Sequence, residues 1–508
     1  MRGYRPDRPG RRLSAECNTP ADARAAPRRR HAIEPPFGRY NLTMNPPTDP
    51  PLAVAVYRER RERLLAALRA AGGGVAVVRT APELARNRDT DYPYRHDSYF
   101  YYLTGFTEPQ AFIVLDAEAR DDEPASLLFC RPKNAERETW EGFHFGPEAA
   151  RDAFGFDAAF SVDEIDTELP RLIADAPALH YLFAQSGELD GKIRGWLDAV
   201  RSQSRSGIAA PVALVDLTPK LDDMRLFKDP HEVAIMRRAA QISAEAHRRA
   251  MSVCRPGMTE YELEAELLYT FRRRGAQGPA YGSIVAAGAN ACVLHYPAGN
   301  AVLRDDELVL IDAACELDGY ASDITRTFPA NGRFSSPQRE LYDIVLAAQQ
   351  AAIDTTRPGV SFEAPHDAAV RVLAQGLLDT GIIARERFSS VDDVIAERAY
   401  ARFYMHRTGH WLGMDVHDCG DYRDRGAPRD AQGALPWRTL AASMTLTIEP
   451  GLYIRAAEDV PERYWDIGIR IEDDAVVTET GCELLSRDVP VQADEIEALM
   501  LASRTAQP

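Results

Sequence analysis

Hydrophobic residues in the first half of the chain alternate between helical and strand-like spacing. Leu64, Leu65 and Leu68 recur at helical intervals among charged residues, which predicts an amphipathic helix over 56–71. Short apolar runs predict strands at 75–78, 112–115 and 127–130, and a short helix is predicted at 169–174. Alternating helices and strands are typical of an α/β fold. We therefore predict an α/β domain over residues 51–222.

The second half, residues 223–508, begins with signals for two helices. Asp229 can cap a helix that has Pro230 in its first turn. Thr259 followed three residues later by Glu262 forms a capping-box pattern. Short strand and helix patterns then alternate to about residue 490. This half is therefore predicted to be a second domain that mixes helices and strands.

Two carboxylates lie on a predicted β-hairpin in this second domain. Asp318-Gly319 is a strong signal for a two-residue hairpin turn, and an apolar strand precedes Asp312. With that turn, Asp312 pairs with Thr325, and Asp323 lies two residues away on the same face. Neighbouring carboxylates raise one another's pKa, and a bound cation would relieve this repulsion. The alternative is that one of the two aspartates is simply a turn residue.

Three histidines and two glutamates extend this candidate site. His406, His410 and His417 lie within twelve residues of one another, and nearby glycines favour a loop or an irregular strand over a regular helix. Glu449 and Glu472 each lie within an apolar, β-forming run, where a buried carboxylate is costly unless it is paired. Each residue alone has an ordinary alternative, a core histidine or an outward-facing glutamate.

A common metal centre would explain Asp312, Asp323, His410, Glu449 and Glu472 together. Hard oxygen ligands with a single imidazole suit Mn²⁺, Co²⁺, Mg²⁺ or Zn²⁺ rather than a metal bound by thiolates. Four carboxylates fit two ions about 3.5–4 Å apart, an arrangement that activates a water as hydroxide and polarises a carbonyl. The residues therefore indicate a dinuclear hydrolytic site.

Composition excludes several other functions. The net charge of −17 argues against a nucleic-acid binder, and the sequence has no apolar run close to 18 residues, so no membrane span is expected. The cysteine count of seven is odd and no pair has C-x-x-C spacing, which favours reduced thiols in a cytoplasmic protein. Residues 1–50 are rich in Arg and Pro and are predicted to be disordered. This tail could be a transit peptide or have no role.

Local sequences resemble those of the Xaa-Pro aminopeptidase (aminopeptidase P) family of pita-bread metallopeptidases. The most specific strings are LIDAACELDGYASDITRTFP at 310–329, HWLGMDVHD at 410–418, TIEPGLY at 447–453, GIRIEDD at 468–474 and MRLFKDPHE at 224–232. The resemblance extends over about residues 55–500. It implies an α/β N-terminal domain followed by an α+β pita-bread catalytic domain, in a homotetramer or homodimer.

The resemblance also implies roles for particular residues. Asp312 and Asp323 would bind one divalent ion, and Asp323, His410, Glu449 and Glu472 would bind the second. Glu449 would be the general base. The remaining roles would be hydrogen bonding to substrate or intermediate by His295 and His417, substrate binding by His406, Tyr422 and Arg470, orientation of Asp312 by Tyr281, and approach to the site by Arg205 and by Trp140 of a neighbouring subunit.

The implied activity is hydrolysis of the N-terminal Xaa-Pro bond of peptides with proline in second position. Mn²⁺ is the expected metal, with Co²⁺ or Zn²⁺ possible. Rival interpretations are a prolidase, which uses the same ligands on dipeptides, a methionine aminopeptidase, which lacks the N-terminal domain, and a metal-free binding module. Asp89 is expected to form a network with an arginine of the 423–438 loop, which the sequence does not single out.

Overall fold

The computed structural model describes residues 50–505, with side chains described from residue 54 to residue 504. The predicted disordered tail therefore lies outside the described residues, apart from residue 50, and stays a prediction. Among the described helices, none is long and apolar enough to cross a membrane.

The first half of the chain forms a six-stranded mixed sheet with the strand order β6-β5-β4-β1-β7-β8. The pairs β1–β4 and β4–β5 are antiparallel, and the pairs β5–β6, β1–β7 and β7–β8 are parallel. The elements are α1 (Pro50–Ala70), β1 (Val75–Arg79), β2 (Ala85–Asn87), β3 (Thr90–Asp91), α2 (Ser98–Thr104), β4 (Phe112–Asp116), β5 (Ser126–Cys130), α3 (Ala135–Glu141), α4 (Gly146–Phe154), β6 (Ala158–Ser161), α5 (Ile165–Leu172), β7 (Ala178–Tyr181), α6 (Gly187–Arg201), β8 (Ala213–Asp216) and α7 (Thr218–Leu226).

The three predicted strands and the first helix of this half are confirmed. Leu64 and Leu68 are fully buried, so the helical spacing identified the face of α1 that packs. The short helix predicted at 169–174 begins and ends earlier, as α5. Helix α7 runs across the predicted boundary at residue 222, which stays a prediction because no separate unit is resolved on either side of it.

The second half places helices around several small antiparallel sheets. The sheets are β10-β11-β14, β13-β12-β9, β15-β18-β19 and β16-β17. The elements are α8 (Pro230–Val253), α9 (Glu260–Arg273), β9 (Gly278–Pro279), β10 (Ile284–Ala287), β11 (Leu308–Asp312), β12 (Cys315–Leu317), β13 (Tyr320–Ala321), β14 (Thr325–Pro329), α10 (Ser336–Thr355), α11 (Ala364–Asp379), α12 (Val391–Ala396), β15 (Thr445–Ile448), β16 (Gly451–Ile454), β17 (Ile467–Arg470), β18 (Asp473–Val477), β19 (Cys482–Leu484) and α13 (Ala493–Thr505).

Both predicted helix starts are confirmed by their caps. The Asp229 carboxylate accepts hydrogen bonds from two backbone N–H groups of α8, and Pro230 is the first residue of that helix. Thr259 and Glu262 form the predicted capping box at α9. These caps satisfy backbone donors that the first helical turn leaves without partners.

The predicted hairpin register is also confirmed. Asp312 pairs with Thr325 between β11 and β14, and Leu317 pairs with Tyr320 between β12 and β13. Asp318 and Gly319 both have positive φ, at 48° and 77°, as a type I′ turn requires. The turn therefore sets which carboxylates share a face.

The apolar runs that contain Glu449 and Glu472 are each divided beside the glutamate instead of forming one strand. The first run divides into β15 and β16, and the second into β17 and β18. β15 pairs with β18, and β16 pairs with β17. Both segments therefore pass from the first of these sheets to the second next to each other. Pro450 contributes to this break because it has no N–H to donate. Each glutamate lies at the crossing rather than inside a strand.

The two halves of the chain share buried contacts. One hydrophobic cluster combines Leu64 and Phe100 from the first half with Met236, Tyr320 and Leu412 from the second, together with other residues. Beside it, charged residues meet in what we call the junction cluster. Arg225 lies 2.6 Å from one oxygen of Asp418, Lys228 lies 2.8 Å from the other, and Asp415 lies 2.9 Å from Arg225.

Candidate metal centre and active site

A cavity of about 560 Å³ opens where the sheets of the second half meet. Ten of the residues singled out from the sequence line it. The predicted set was chosen from segments that are up to 177 positions apart in the chain, and the fold brings them to one place. These ten residues are His295, Asp312, Asp323, His406, His410, His417, Tyr422, Glu449, Arg470 and Glu472.

The floor of the cavity carries four carboxylates, Asp312, Asp323, Glu449 and Glu472, which we call the acidic cluster. Ligand atoms of Asp323, His410 and Glu472 all lie within 4.8 Å of one another. His410 Nε2 is also 3.7 Å from Glu449 Oε1. His410 Nδ1 lies 2.9 Å from the Trp411 carbonyl oxygen, and donation to that oxygen leaves Nε2 free to act as a ligand.

Neighbouring side chains hold these carboxylates in place. The Tyr281 hydroxyl lies 2.6 Å from an oxygen of Asp312 and 2.6 Å from an oxygen of Asp323, so it joins the two aspartates. Arg470 donates to the other Asp312 oxygen at 2.6 Å. Thr325 donates its hydroxyl hydrogen to Glu472 at 2.6 Å. The carboxylates are thus oriented before any ligand arrives.

The electrostatics of the acidic cluster fit a cation. Burial first, and then the neighbouring carboxylates, raise the pKa of Asp323 and raise the pKa of Glu472 well above its usual range. Burial likewise raises the pKa of Glu449 to about 7, although His410 and Arg470 oppose this. Burial disfavours the charged form of His410, but Asp323 and Glu449 raise its pKa to about 9. Two divalent ions would stabilise all four ionised carboxylates, and the oxygen-rich donor set suits them.

Neutral histidines form another part of the lining. Burial and then Arg470 lower the pKa of His406 to about 3, and burial lowers the pKa of His417. His406 Nε2 lies 2.8 Å from the Tyr453 hydroxyl, which also accepts a hydrogen bond from Arg470 at 3.0 Å. The rings of His410 and His417 are 4.2 Å apart. The single N–H of a neutral His406 faces the Arg407 carbonyl, 2.7 Å from Nδ1, whereas a neutral His417 can donate its N–H to a substrate oxygen.

His295 lies on a loop that a buried glutamate organises. Glu260, in the first turn of α9, is 0% exposed. One of its oxygens accepts from the Ala287 N–H at 2.9 Å, and the other accepts from the Gly299 N–H at 3.2 Å and from the Tyr296 hydroxyl at 3.0 Å. The sequence analysis missed this residue. The only signal was an acidic side chain at a helix start, and such a side chain more often stabilises the helix by interacting with its dipole.

Four predicted residues do not line the cavity of this chain: Tyr281, which contacts Asp312 and Asp323, and Trp140, Arg205 and Asp89. Trp140 is 86% exposed, and Arg205 lies in an exposed turn at 204–206. Asp89 is exposed in the turn between β2 and β3. The expected approach of Trp140 from a neighbouring subunit stays a prediction. Six further residues line the cavity: Leu294, Phe362, Arg407, Gly409, Arg423 and Trp437. Of these, Arg423 belongs to the 423–438 loop, from which an unspecified arginine was expected.

A buried carboxylate–histidine centre in a fold of paired small sheets defines a metallopeptidase, and sequence families agree. Residues 234–479 match the model of metallopeptidase family M24, and residues 57–181 match the aminopeptidase P N-terminal domain. The chain is 43% identical to Xaa-Pro aminopeptidase of Escherichia coli K12, over 88% of this chain and 98% of that protein. It is 32% identical to human Xaa-Pro aminopeptidase 3, over 94% and 92% of the two chains.

Solved structures extend this similarity to the whole fold. The aminopeptidase PepP of Pseudomonas aeruginosa has a TM-score of 0.84 at 47% identity, covering 89% of this chain and 99% of that one. The chain therefore belongs to the Xaa-Pro aminopeptidase family of M24 metallopeptidases. The predicted fold class and the prediction of a metal-dependent hydrolase are confirmed. The N-terminal match also excludes the methionine aminopeptidase interpretation, which lacks that domain.

Proposed function

We propose that this protein removes the first residue of peptides whose second residue is proline, using two divalent ions. Asp312 and Asp323 would hold one ion, and Asp323, His410, Glu449 and Glu472 the other. The observation that carries this proposal is the acidic cluster, in which burial and neighbouring carboxylates raise the pKa of Asp323, Glu449 and Glu472, so that bound cations would favour their ionised forms. The relatives named Xaa-Pro aminopeptidase support the substrate class.

When bound, the ions polarise the peptide carbonyl and lower the pKa of a water. The chain's own groups then move the proton and steady the charge. Glu449 takes the proton of the attacking water and returns it to the departing proline nitrogen, as a general base and then a general acid. His295 and His417 donate hydrogen bonds to the oxygen on which negative charge develops.

The proline of the substrate requires a pocket that fits its ring. The Xaa-Pro amide has no N–H, so the pocket must recognise a ring rather than a backbone donor. Tyr422 and Phe362, whose ring centres are 4.9 Å apart, supply an aromatic wall, and His406 and Arg470 lie beside it. The free amine of the first residue meets the acidic cluster. This placement favours the removal of a single residue.

The nature of the metal, the assembly and the location are further parts of the proposal. Mn²⁺ is the proposed native ion, with Co²⁺ or Zn²⁺ as alternatives; a zinc-substituted structure exists for E. coli aminopeptidase P. The protein is proposed to be a homotetramer or homodimer, in which Arg205 and Trp140 of a neighbouring subunit would approach the active site. Six cysteines among the described residues are free thiols, which supports a reducing, cytoplasmic location.

Peptide cleavage before and after metal removal tests the function. The protein is stripped with a chelator, reloaded with Mn²⁺, and given Ala-Pro-Ala, Ala-Pro and Ala-Ala-Ala. We expect loss of activity on stripping and recovery with Mn²⁺ on Ala-Pro-Ala only. Cleavage of Ala-Pro alone would establish a prolidase instead. No cleavage by folded, Mn²⁺-loaded protein would favour a binding module.

A further inference from the structure

In the lining of the active-site cavity, two arginine side chains contact one tryptophan ring: Arg407, Arg423 and Trp437. We call this group the arginine–tryptophan rim. The guanidinium carbon of Arg423 lies 3.4 Å from the centre of the Trp437 ring, and that of Arg407 lies 4.3 Å from the same centre. Arg407 is 45% exposed, whereas the acidic cluster is nearly buried. The rim therefore lies toward the mouth of the cavity.

Backbone contacts hold this rim in position. Arg423 and Trp437 stand at opposite ends of the loop 421–438 and form an isolated antiparallel bridge. Arg438 N–H donates to the Tyr422 carbonyl at 2.8 Å, and Asp424 N–H donates to the Pro436 carbonyl at 2.9 Å. The Arg423 side chain itself donates to a carbonyl at the far end of the loop, at 2.8 Å. The loop is thus closed at its base.

The two arginines differ in their charge balance. Arg407 forms an ion pair with Glu363 at 2.5 Å. For Arg423, no carboxylate oxygen among the described residues lies within ion-pair distance. The nearest acidic residues in sequence are engaged elsewhere: Asp421 pairs with Arg425 at 2.6 Å, and Asp424 accepts from the Gly426 N–H at 2.9 Å. Arg423 therefore contributes an uncompensated positive charge to the cavity.

A guanidinium that stacks on an indole keeps its edge accessible, and Arg423 uses one nitrogen of that edge, Nη1, to donate to the Leu435 carbonyl, which leaves further N–H groups for a ligand. This planar fork matches a carboxylate with two parallel hydrogen bonds, and stacking limits the rotamer freedom that binding would otherwise remove. Tryptophan is the strongest aromatic partner for such a cation. The stack on Trp437 and the hydrogen bond to Leu435 hold the Arg423 guanidinium in one orientation, which suits it to bind a carboxylate.

We propose that Arg423, supported by Arg407, binds a substrate carboxylate at the residue that follows proline. This inference rests on the proposed function and adds a preference to it. The acidic cluster takes the amine end and the scissile bond, so an extended peptide directs its later residues toward the mouth of the cavity. A volume of about 560 Å³ is in the range that holds such a ligand. The carboxylate is either the chain end of a tripeptide or an acidic third side chain.

Three substrates separate these two sources. Ala-Pro-Ala carries only a terminal carboxylate, Ala-Pro-Glu-amide carries only a side-chain carboxylate, and Ala-Pro-Ala-amide carries neither. We expect the Mn²⁺-loaded wild type to prefer at least one carboxylate substrate over the neutral amide. Arg423→Gln should lower kcat/KM on that substrate about tenfold, mainly through KM, and should change cleavage of the neutral amide far less. The carboxylate substrate whose kcat/KM falls more in Arg423→Gln shows whether Arg423 binds a chain end or an acidic side chain.

Arg425→Gln is the matched control, because it makes the same change two residues away in an exposed side chain that does not line the cavity. It should retain the preference of the wild type. Equal losses on all three substrates, no loss on any, or no wild-type preference for a carboxylate would each overturn the inference while leaving the proposed function intact. Failure of the wild type to cleave any of the three would overturn both.

Discussion

The acidic cluster and the junction cluster each contain a buried carboxylate, Glu472 and Asp418, but they balance its charge in opposite ways. Asp418 in the junction cluster is 6% exposed, yet its pKa is lowered, because Lys228 and Arg225 outweigh the penalty of burial. Glu472 in the acidic cluster is 1% exposed, and its pKa is raised by burial and by the carboxylates around it. The junction cluster contains its own cations, whereas the acidic cluster does not contain enough of them.

This difference separates a structural role from a functional one. A buried charge that the chain itself compensates joins parts of the fold, and breaking its pairing destabilises the protein. A buried charge that the chain leaves uncompensated costs stability, and it is retained where a ligand supplies the missing charge. For two buried carboxylates, a lowered pKa therefore indicates a structural ion pair, and a raised pKa indicates a site that a cation can occupy.

The largest expected effect is on catalysis, from Glu449→Gln. Removing one carboxylate relieves repulsion in the metal-free protein, so its unfolding temperature should stay equal or rise. Turnover of Ala-Pro-Ala by the Mn²⁺-loaded variant should fall about a thousandfold, because the general base is lost. Steady-state kinetics and thermal unfolding measure the two effects. Glu458→Gln, the same change at an exposed position nine residues away, should alter neither. A variant that loses activity only because it unfolds would contradict the assignment.

The next effect is on stability, from Asp418→Asn. The substitution leaves Arg225 and Lys228 buried without a negative partner, so the free energy of unfolding should fall by about 3–5 kcal/mol. Urea unfolding at pH 7 measures this loss. Asp415→Asn is the control, because Asp415 contacts the same arginine but is 42% exposed, and its loss should cost less than about 1 kcal/mol. Similar losses in both variants would show that burial does not decide the strength of this cluster.

The smallest effect is a pair of opposite pH dependences in the metal-free protein. The lowered pKa of Asp418 contributes stability above its unfolded value of about 3.9, which is lost as the pH falls through the folded value. The raised pKa of Glu449, about 7, contributes stability below its unfolded value of about 4.3, which is lost as the pH rises through 7. Between pH 5 and pH 8 the unfolding temperature should therefore decline by about 2–5 °C in the metal-free wild type.

Two comparisons test this pH dependence. The decline should be weaker in Glu449→Gln and should disappear when Mn²⁺ is present. Below pH 4, the difference in stability between the wild type and Asp418→Asn should shrink as Asp418 takes up its proton. Parallel temperature–pH curves for the metal-free wild type and Glu449→Gln would refute the account of the acidic cluster.

Local sequence patterns predicted those parts of the fold that depend on neighbouring residues. The caps at Asp229 and Thr259 and the turn at Asp318-Gly319 each act within a few positions, and all three occur in the structure. The turn then determined the pairing of Asp312 with Thr325, because register follows from turn geometry. The ten predicted residues among those that line the cavity were chosen by their chemistry and by family resemblance, and their assigned roles stay predictions.

The sequence by itself determined which residue types are available for chemistry and how short segments pair. Only the tertiary structure decided that Glu449 and Glu472 both lie where the chain passes from one small sheet to the next. It also decided that Arg470 contacts Asp312 and that Arg423 stacks on Trp437. The physical reason is distance along the chain. Caps and turns form among residues a few positions apart, whereas pKa shifts and ion pairs depend on which remote side chains are packed together and on how much water they exclude.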